Sequence, residues 1–180
     1  MTAVRNLLLP ALAGACAATL AAPSFAASVS VPMALTTEKG PGASVGKVTL
    51  SDSPKGVVLK LDLHGLPAGQ HGFHLHEKPS CAPSTAADGK VTAAGGAGAH
   101  LDPDKTNTHL GPQGYGHLGD LPRIDVDAKG VAKESVTATR IKSVAEFKGR
   151  SLMIHVGGDT YSDTPSLGGG GARLACGVVP

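Results

Sequence analysis

The sequence has no tryptophan, only 3% aromatic residues and only three cysteines among its 180 residues, whereas glycine occurs 25 times. It also lacks a charge excess, because 16 lysines and arginines face 14 acidic residues for a formal net charge of +2. A charge this small excludes a strong global attraction for nucleic acid or for an acidic surface. No internal repeat and no long helical period occur, which excludes repeat and coiled-coil architectures. Abundant glycine without tryptophan favours loops carried on a rigid β framework.

Only the N-terminus carries a long apolar run. Residues 1–26 contain one charge, Arg5, then a stretch rich in leucine and alanine, and they end with the small residues Ser24 and Ala26. This order is typical of a cleaved secretory signal peptide. A membrane anchor is the alternative, but prolines and a glycine interrupt a run that is short for a span of about 20 residues. We predict that residues 1–26 are removed, leaving one domain over residues 27–180 with 15 basic and 14 acidic residues.

One cysteine lies in the predicted signal peptide and two lie in the predicted mature domain. Cys16 follows Ala-Gly-Ala as a lipid-attachment cysteine does, but the leucine expected three residues before it is missing. Cys81 and Cys176 are then the two cysteines of the exported chain, and such a pair predicts one disulfide. Closing that loop of about 95 residues is worth on the order of 4–5 kcal/mol in the chain-entropy model. Free thiols or soft metal ligands are the alternatives, which the lack of a CxxC partner disfavours.

Alternating apolar residues recur along the chain. They occur in the segments 29–35, 57–63, 124–126 and 152–156, with polar or charged residues between several of them. A period of two bounded by glycine and proline predicts half-buried antiparallel strands, and several short strands favour a sandwich or barrel. The single helical signal is the capping-box pattern of residues 143–146, which predicts a turn or two.

Two long segments interrupt this alternation. Residues 80–121 are rich in glycine, proline, aspartate and histidine, and residues 157–172 are again polar and glycine-rich. Long loops are uncommon in a compact domain unless they have a function. We therefore expect the functional side chains to lie mainly in these two loops.

The first candidate metal ligands are His74 and His76. Residues two apart on a strand share a face and lie about 6.5 Å apart, so both imidazoles can reach one metal while Phe73 and Leu75 enter the core. An HxH pair alone is weak support, since a histidine often only satisfies a local hydrogen bond. His155 has the opposite parity to the apolar residues of its own segment, so it faces away from their side.

The second candidate group is His100, His109, His117 and Asp120, which fall within twenty-one residues of one glycine-rich loop. Three imidazoles and a carboxylate are the ligands of a closed tetrahedral Zn²⁺ site. A solvated loop that merely contains histidines is the alternative, which their density disfavours. With one loop histidine, the three strand histidines would make a set of four imidazoles, and such a set suits copper, which can change oxidation state.

Three segments together resemble the copper/zinc superoxide dismutases. GFHLHEKPSCA (Gly72–Ala82) and GGGGARLACGVV (Gly168–Val179) resemble the family's two signature segments, and Ala99–Pro122 resembles the metal loop of its periplasmic branch. The resemblance extends from about Ser28 to Pro180. It implies an all-β, antiparallel Greek-key sandwich or barrel of about eight strands with two long functional loops.

The resemblance also implies roles for individual residues. The implied copper ligands are His74, His76, His100 and His155. The implied zinc ligands are His100, His109, His117 and Asp120, with His100 bridging the two metals. Cys81 and Cys176 match the family's disulfide, Arg173 matches the arginine that receives the anion, and Asp159 matches the carboxylate that links the two metal sites.

Other residues have weaker or structural matches. His71 matches a family histidine that braces the backbone, and His64 matches no ligand. Lys78 and Lys105 are candidates for anion steering by loop position alone, because residues 157–172 lack the acidic and lysine-rich pattern of the cytosolic enzymes.

The implied activity is antioxidant defence in the periplasm. Superoxide, the small-molecule substrate, is converted to dioxygen and hydrogen peroxide by copper cycling, zinc is structural, and His100 and Arg173 are the catalytic residues. We expect no nucleic-acid partner, no membrane association of the mature form, and a monomer or homodimer. A metal carrier with the same ligands is disfavoured by Arg173, for which a carrier has no use. A related domain that has lost its copper site is disfavoured by the full set of four copper-type histidines.

Overall fold

The computed structural model describes residues 28–180. The predicted signal peptide and Cys16 therefore lie outside the described residues. The strands within the described range are β1 (Ser28–Thr37), β2 (Gly40–Ser53), β3 (Gly56–Leu63), β4 (Gly69–His71), β5 (Phe73–His76), β6 (Ser84–Thr85), β7 (Val91–Thr92), β8 (Ile124–Val126), β9 (Ser135–Ala138), β10 (Ser151–His155) and β11 (Arg173–Val178). The same described range contains three short 3₁₀ helices, Gly95–Ala97, Val144–Phe147 and Ser166–Gly169. Within residues 28–180, no helix is long and apolar enough to cross a membrane.

Seven strands form one antiparallel sheet in the order β5-β10-β11-β1-β2-β3-β9, curled into a half-barrel. The last strand, β11, pairs with the first, β1, so the two ends of the described chain meet in the middle of the sheet. Two short ladders, β4-β8 and β6-β7, accompany it. The predicted all-β antiparallel class is confirmed. The described chain has eleven strands instead of about eight because the short ladders add to the main sheet.

The core lies inside the curl of the sheet. On β3 the alternation predicted from the sequence is visible, since Val57, Leu59, Leu61 and Leu63 are at most 2% exposed while Lys60 between them is exposed. Two phenylalanines and many aliphatic side chains fill the interior. Burial of alternate apolar side chains therefore sets the strand register, because a slip of one residue would turn every one of them to solvent.

β10 departs from the predicted alternation. All five of its residues are buried, so neither face of this strand is open to water. One reason is a small cluster on its second face, in which Met153 and Cys176 pack with Ala94 and Ala97 of the long loop. The strand ends at His155 with a shift in its pairing to β11, and Val156, predicted to share the apolar face, is 52% exposed.

The predicted capping box is present. The Ser143 hydroxyl accepts a hydrogen bond from the Ala145 amide, and the Glu146 carboxylate accepts one from the Ser143 amide at 3.0 Å. The helix is a single 3₁₀ turn that ends before Gly149, whose φ of 71° lies in the left-handed region. A hydrogen bond of 2.7 Å from the Val144 amide to Asp52 fastens this turn to β2.

The predicted disulfide between Cys81 and Cys176 is confirmed. It joins the beginning of the long loop of residues 80–121 to β11, 95 residues further along the chain. The loop is therefore covalently fixed to the strand that carries Arg173.

Candidate metal centre

Strand pairing around β5 brings distant histidines together. On one edge β5 pairs with β10, which ends at His155. On the other edge, isolated bridges join His76 to His100 and His74 to Asp120. A single short strand is thus flanked by another strand and by the long loop, and each neighbour contributes ligand-type side chains to the same region.

One group of four buried imidazoles lies at this junction. Its members, each with one ring nitrogen within 4.8 Å of those of the others, are His74, His76, His100 and His155. The inward nitrogens His74 Nδ1, His76 Nε2 and His155 Nε2 have no hydrogen-bond partner within residues 28–180. Buried polar atoms without partners are costly unless something else binds them. Convergent imidazole nitrogens of this kind fit a copper ion.

The outward nitrogens of these rings are held by hydrogen bonds. The His76 Nδ1 lies 3.0 Å from the Gly98 carbonyl, and the His155 Nδ1 lies 3.2 Å from the Gly171 carbonyl. A ring N–H that donates outward leaves the lone pair of the other nitrogen facing inward, which is the tautomer a metal requires. The backbone therefore prepares these two imidazoles as ligands before a metal arrives.

The second group gathers around one carboxylate oxygen. The Nδ1 atoms of His100, His109 and His117 lie 3.0, 3.0 and 3.3 Å from Asp120 Oδ1. In a tetrahedral zinc site with bonds of 2.0–2.1 Å, neighbouring ligand atoms are separated by about 3.3 Å. These separations fit the edges of such a tetrahedron. The nitrogen and oxygen donors present are also those that zinc prefers.

The distances between ligand atoms define a second group that differs by one residue from the predicted zinc ligands. The four residues whose ligand atoms all lie within 4.8 Å of one another are His74, His100, His109 and Asp120. His117 reaches Asp120 but is not in that set. His74 directs its Nε2 to Asp159 at 2.8 Å, so only its Nδ1 is free, and that atom already faces the first group. His117 is therefore the better fourth donor for the second group.

Burial keeps the first group neutral. It lowers the pKa of His76 to about 2, of His155 to about 3 and of His100 to about 4, with the neighbouring imidazoles contributing in the same direction. Neutral imidazoles are the form that binds metal, so these ligands need not lose a proton near neutral pH.

In the second group, contacts between histidines and carboxylates have more effect on the pKa values than burial does. Burial disfavours protonation of His109, but the close Asp120 carboxylate and the hydrogen bond to Asp159 outweigh it and raise the pKa of His109 to about 9. Burial likewise disfavours the charged carboxylates, but the bonds from the histidines hold the pKa of Asp120 and of Asp159 well below the ordinary value. Without metal, these contacts therefore favour a proton on His109, and that proton must leave before the imidazole can bind a cation.

Asp159 connects the two groups. Its Oδ2 lies 2.8 Å from His74 Nε2 and its Oδ1 lies 2.8 Å from His109 Nε2, so one carboxylate accepts from a member of each group. Gly168 closes over this contact, because a Cβ at that position would collide with Asp159 Oδ1 and His109 Nε2. The glycine run of residues 168–171 is needed here for close approach, in addition to its left-handed φ angles.

Arg173 lies beside the first group. It stands opposite His155 in the β10-β11 pairing, and its guanidinium donates to the carbonyls of Ala94 and Gly98. Gly98 also receives the bond from His76, so one carbonyl orients a ligand and the arginine together. Burial lowers the pKa of Arg173, yet a guanidinium stays charged at physiological pH.

A cavity of about 220 Å³ leads to these side chains. Its lining residues are His76, Ala99, His100, His117, His155, Leu167, Gly171 and Arg173. The cavity therefore combines histidines of both groups with one fixed positive charge. Such an arrangement can admit a small anion and bring it to a metal.

The remaining sequence candidates lie elsewhere. Lys78 and Lys105 are exposed and do not belong to the cavity lining within the described chain. His64 is exposed as well. His71 is buried, with Nδ1 2.7 Å from the His155 carbonyl and Nε2 2.9 Å from the Pro67 carbonyl, so it braces the backbone that carries His155.

Sequence reasoning missed several supporting residues. Arg140 donates to the carbonyls of His117 and Gly116 at 2.9 Å each and thereby braces the loop next to Asp120. Leu167 lines the cavity, and Arg123 contacts Tyr161. Their residue types carry no signal by themselves, because an arginine or leucine in a loop is ordinary until its contacts are known.

The fold and the two adjoining groups define an all-β metalloprotein with neighbouring metal sites and a cationic cavity. Residues 44–179 match the family model of copper/zinc superoxide dismutase (SODC). The chain therefore belongs to the copper/zinc superoxide dismutase family, and its cofactors are copper and zinc.

Bacterial members of the family are similar over nearly the whole chain. The superoxide dismutase [Cu-Zn] of Brucella abortus is 53% identical over 161 residues, covering 89% of this chain and 92% of that protein. The solved Cu/Zn superoxide dismutase from Brucella abortus superposes with a TM-score of 0.83 at 52% identity, covering 86% of this chain and all of that one. The monomeric copper, zinc superoxide dismutase from Salmonella enterica gives 0.78 at 51% identity, with the same coverage.

Proposed function

We propose that this chain is an exported periplasmic superoxide dismutase whose metals are held by the residues predicted from the sequence. The copper ligands are His74, His76, His100 and His155. The zinc ligands are His100, His109, His117 and Asp120. Three convergent, buried ring nitrogens without partners in residues 28–180 carry the copper assignment.

Copper, when bound, supplies the electron exchange by which one superoxide ion is oxidised to dioxygen and another, with two protons, is reduced to hydrogen peroxide. The chain's own residues govern access, orientation and protons. Arg173 attracts the anion into the cavity and holds it near the open side of the copper ligands. Its charge is fixed in place by the carbonyls of Ala94 and Gly98, so the guanidinium needs little reorganisation when the anion arrives.

His100 has two tasks in this proposal. Its Nδ1 is directed to Asp120 at 3.0 Å, which leaves Nε2 for the copper ligand set. Because His100 lines the cavity, Nε2 could also take up a proton whenever it is not holding the metal, and return that proton to the departing peroxide. The second group would hold zinc, and His100 Nδ1 and the loop would then be fixed while Nε2 faces the cavity.

Export and assembly belong to the same proposal. Residues 1–26 have the order of a signal peptide, and the Cys81–Cys176 disulfide suits an oxidising compartment. We propose cleavage after Ala26 and a mature domain over residues 27–180. The monomeric Salmonella enterica enzyme favours a monomer over a homodimer, and sedimentation of the purified mature protein distinguishes the two.

The decisive experiment measures metal content and superoxide turnover of the exported protein. We expect one copper and one zinc per subunit, with activity that disappears when copper alone is removed. Copper bound without turnover would favour a carrier. Zinc alone after copper loading would indicate a domain without a copper site.

A further inference from the structure

Two residues outside the predicted site, Arg123 and Tyr161, are joined by two contacts. The Arg123 amide donates to the Tyr161 hydroxyl at 3.0 Å, and the Arg123 guanidinium lies over the Tyr161 ring, 5.1 Å from its centroid. We call these two residues the Arg123–Tyr161 pair. Arg123 follows Asp120 by three residues, and Tyr161 follows Asp159 by two. The pair therefore joins the two chain segments that carry the site's carboxylates.

The pair also holds Asp159 directly. The Arg123 guanidinium donates to the Asp159 carbonyl at 3.0 Å, and the Tyr161 amide donates to Asp159 Oδ1 at 2.7 Å. One residue of the pair thus fixes the backbone of Asp159 and the other fixes its carboxylate. Both carboxylate oxygens are then used in defined directions, one towards His74 and one towards His109.

The backbone at Tyr161 indicates that this position is imposed by its surroundings. Its φ of 58° is in the left-handed region, which is unfavourable for a side chain of this size. The ring packs on Gly111 of the metal loop, where a Cβ would lie 2.5 Å from Tyr161 Cβ. Strained conformations persist where the surrounding contacts determine them, often near functional sites.

We propose that the Arg123–Tyr161 pair positions Asp159 so that copper binding and zinc binding are coupled through its carboxylate. The inference rests on the proposed ligand assignment, in which His74 binds copper and His109 binds zinc. A carboxylate held on two sides cannot turn towards one histidine alone. If the pair is broken, Asp159 can adjust to one metal without moving the ligand of the other, and the coupling decreases.

The test measures the Zn²⁺ dissociation constant with and without bound Cu²⁺. The exported protein is stripped of metal with a chelator and titrated, and the ratio of the two constants is the coupling factor. Tyr161→Phe removes only the acceptor oxygen, Arg123→Met removes the guanidinium, and Arg123→Lys keeps one donor. The matched controls are Tyr115→Phe, at a residue that is 80% exposed, and Arg150→Met, whose guanidinium donates to the Glu146 carbonyl.

We expect Arg123→Met to lower the coupling factor about threefold to tenfold, the range for one lost hydrogen bond near a metal ligand. Tyr161→Phe should lower it less, because the Tyr161 amide keeps its bond to Asp159. Arg123→Lys should recover most of it, and both controls should match wild type. His100, the proposed shared ligand, also couples the two metals. None of the variants changes His100, so its part of the coupling should remain. A merely stabilising pair would lower the melting temperature while leaving the coupling factor unaltered, and that result would overturn the proposal.

Misfolding of a variant and an error in the ligand assignment can both be distinguished from failure of the proposal about the pair. If Arg123→Met does not fold, Arg123→Lys and Tyr161→Phe still test the pair, since the first alters the donor to the Asp159 carbonyl and the second removes only the acceptor for the Arg123 amide. If wild type itself fails to bind both ions, the ligand assignment is wrong. Wild-type stoichiometry therefore tests the proposed function, and the ratio between variant and wild type tests the pair.

Discussion

Each copper-type imidazole uses its two nitrogens for different purposes. In His74, His76 and His155, one nitrogen faces a backbone carbonyl or a carboxylate, and the other faces inward without a partner in the described chain. Burying these nitrogens without a partner destabilises the fold, and a bound metal would offset that cost. Single substitutions should therefore separate ligands of one metal from ligands of the other.

His155→Ala should lose copper and keep zinc, whereas Asp120→Ala should weaken zinc first. His155 belongs only to the first group, and Asp120 Oδ1 is the atom around which the second group gathers. Elemental analysis after dialysis against both ions measures the effect. Equal loss of both metals in the two variants would show that the partition is wrong.

Arg173 should determine the rate without holding a metal. Arg173→Glu should reduce turnover strongly and Arg173→Lys mildly, because lysine keeps the charge but not the planar pair of donors that binds two carbonyls. Both variants should retain copper and zinc. Pulse radiolysis of metal-replete protein provides the rate constants.

Salt gives an independent check on Arg173. Wild-type turnover should fall as ionic strength rises, since screening limits the reach of the charge to about 8–10 Å near physiological salt. Arg173→Glu should lose this dependence or reverse it. A fully metallated Arg173→Glu protein as fast as wild type would assign the steering to another cation, such as Lys78.

Among the elements, the long loop is the one that the site depends on most. The disulfide fixes its start to β11, Arg140 braces it at His117, and its carbonyls at positions 94 and 98 hold Arg173. A change at the disulfide should therefore reach the anion site as well as stability.

Replacing both Cys81 and Cys176 with alanine should lower the melting temperature, given the loop-closure contribution of about 4–5 kcal/mol to the free energy of unfolding. Turnover per bound copper should also fall, because the loop that holds the guanidinium is released from β11. Calorimetry and the superoxide assay measure the two effects. For native protein, a titration that found two reactive thiols would contradict the bond itself.

At the scale of the whole molecule, the pKa shifts of the histidines have opposite directions. They predict that the free energy of unfolding of the metal-free protein has a maximum at an intermediate pH. His76, His100 and His155 have folded pKa values of about 2 to 4, below the unfolded value of 6.5, so stability is lost as the pH falls below 6.5 towards 4. His109 has a folded pKa of about 9, so its contribution is complete below 6.5 and is lost as the pH rises to 9.

Metal-free protein should accordingly melt at its highest temperature near pH 6.5 and at lower temperatures towards both pH 4.5 and pH 9. Metal-loaded protein should lack the decline above pH 6.5, because His109 would then be a neutral ligand. It should still lose stability below pH 6.5, because unfolding releases the ions and lets the histidines take up protons. Differential scanning calorimetry across the series measures both forms. A flat profile for the metal-free protein between these limits would contradict the shifts.

Much of this protein was determined by the sequence at short range. Alternation in residues 57–63 predicts a buried strand face because burial of alternate side chains follows from the two-residue period of a strand. His74 and His76 share a face for the same reason. The Ser143–Glu146 capping box is likewise local, since its two hydrogen bonds join residues within one turn. The spacing of the histidines and the two signature segments also sufficed to indicate the family.

Tertiary structure decided what depends on contacts between distant segments. Only the pairing of β5 with β10 and with the long loop brings His155 and His100 to His76. Burial of both faces of β10 could not be read from its alternation, because the cover comes from residues near position 95. Arg140 and the Arg123–Tyr161 pair had no sequence signal, since an arginine acquires its role from the carbonyls it meets. Periodicity determines local geometry, whereas the site is set by the packing of segments 20 to 95 residues apart, which no local pattern encodes.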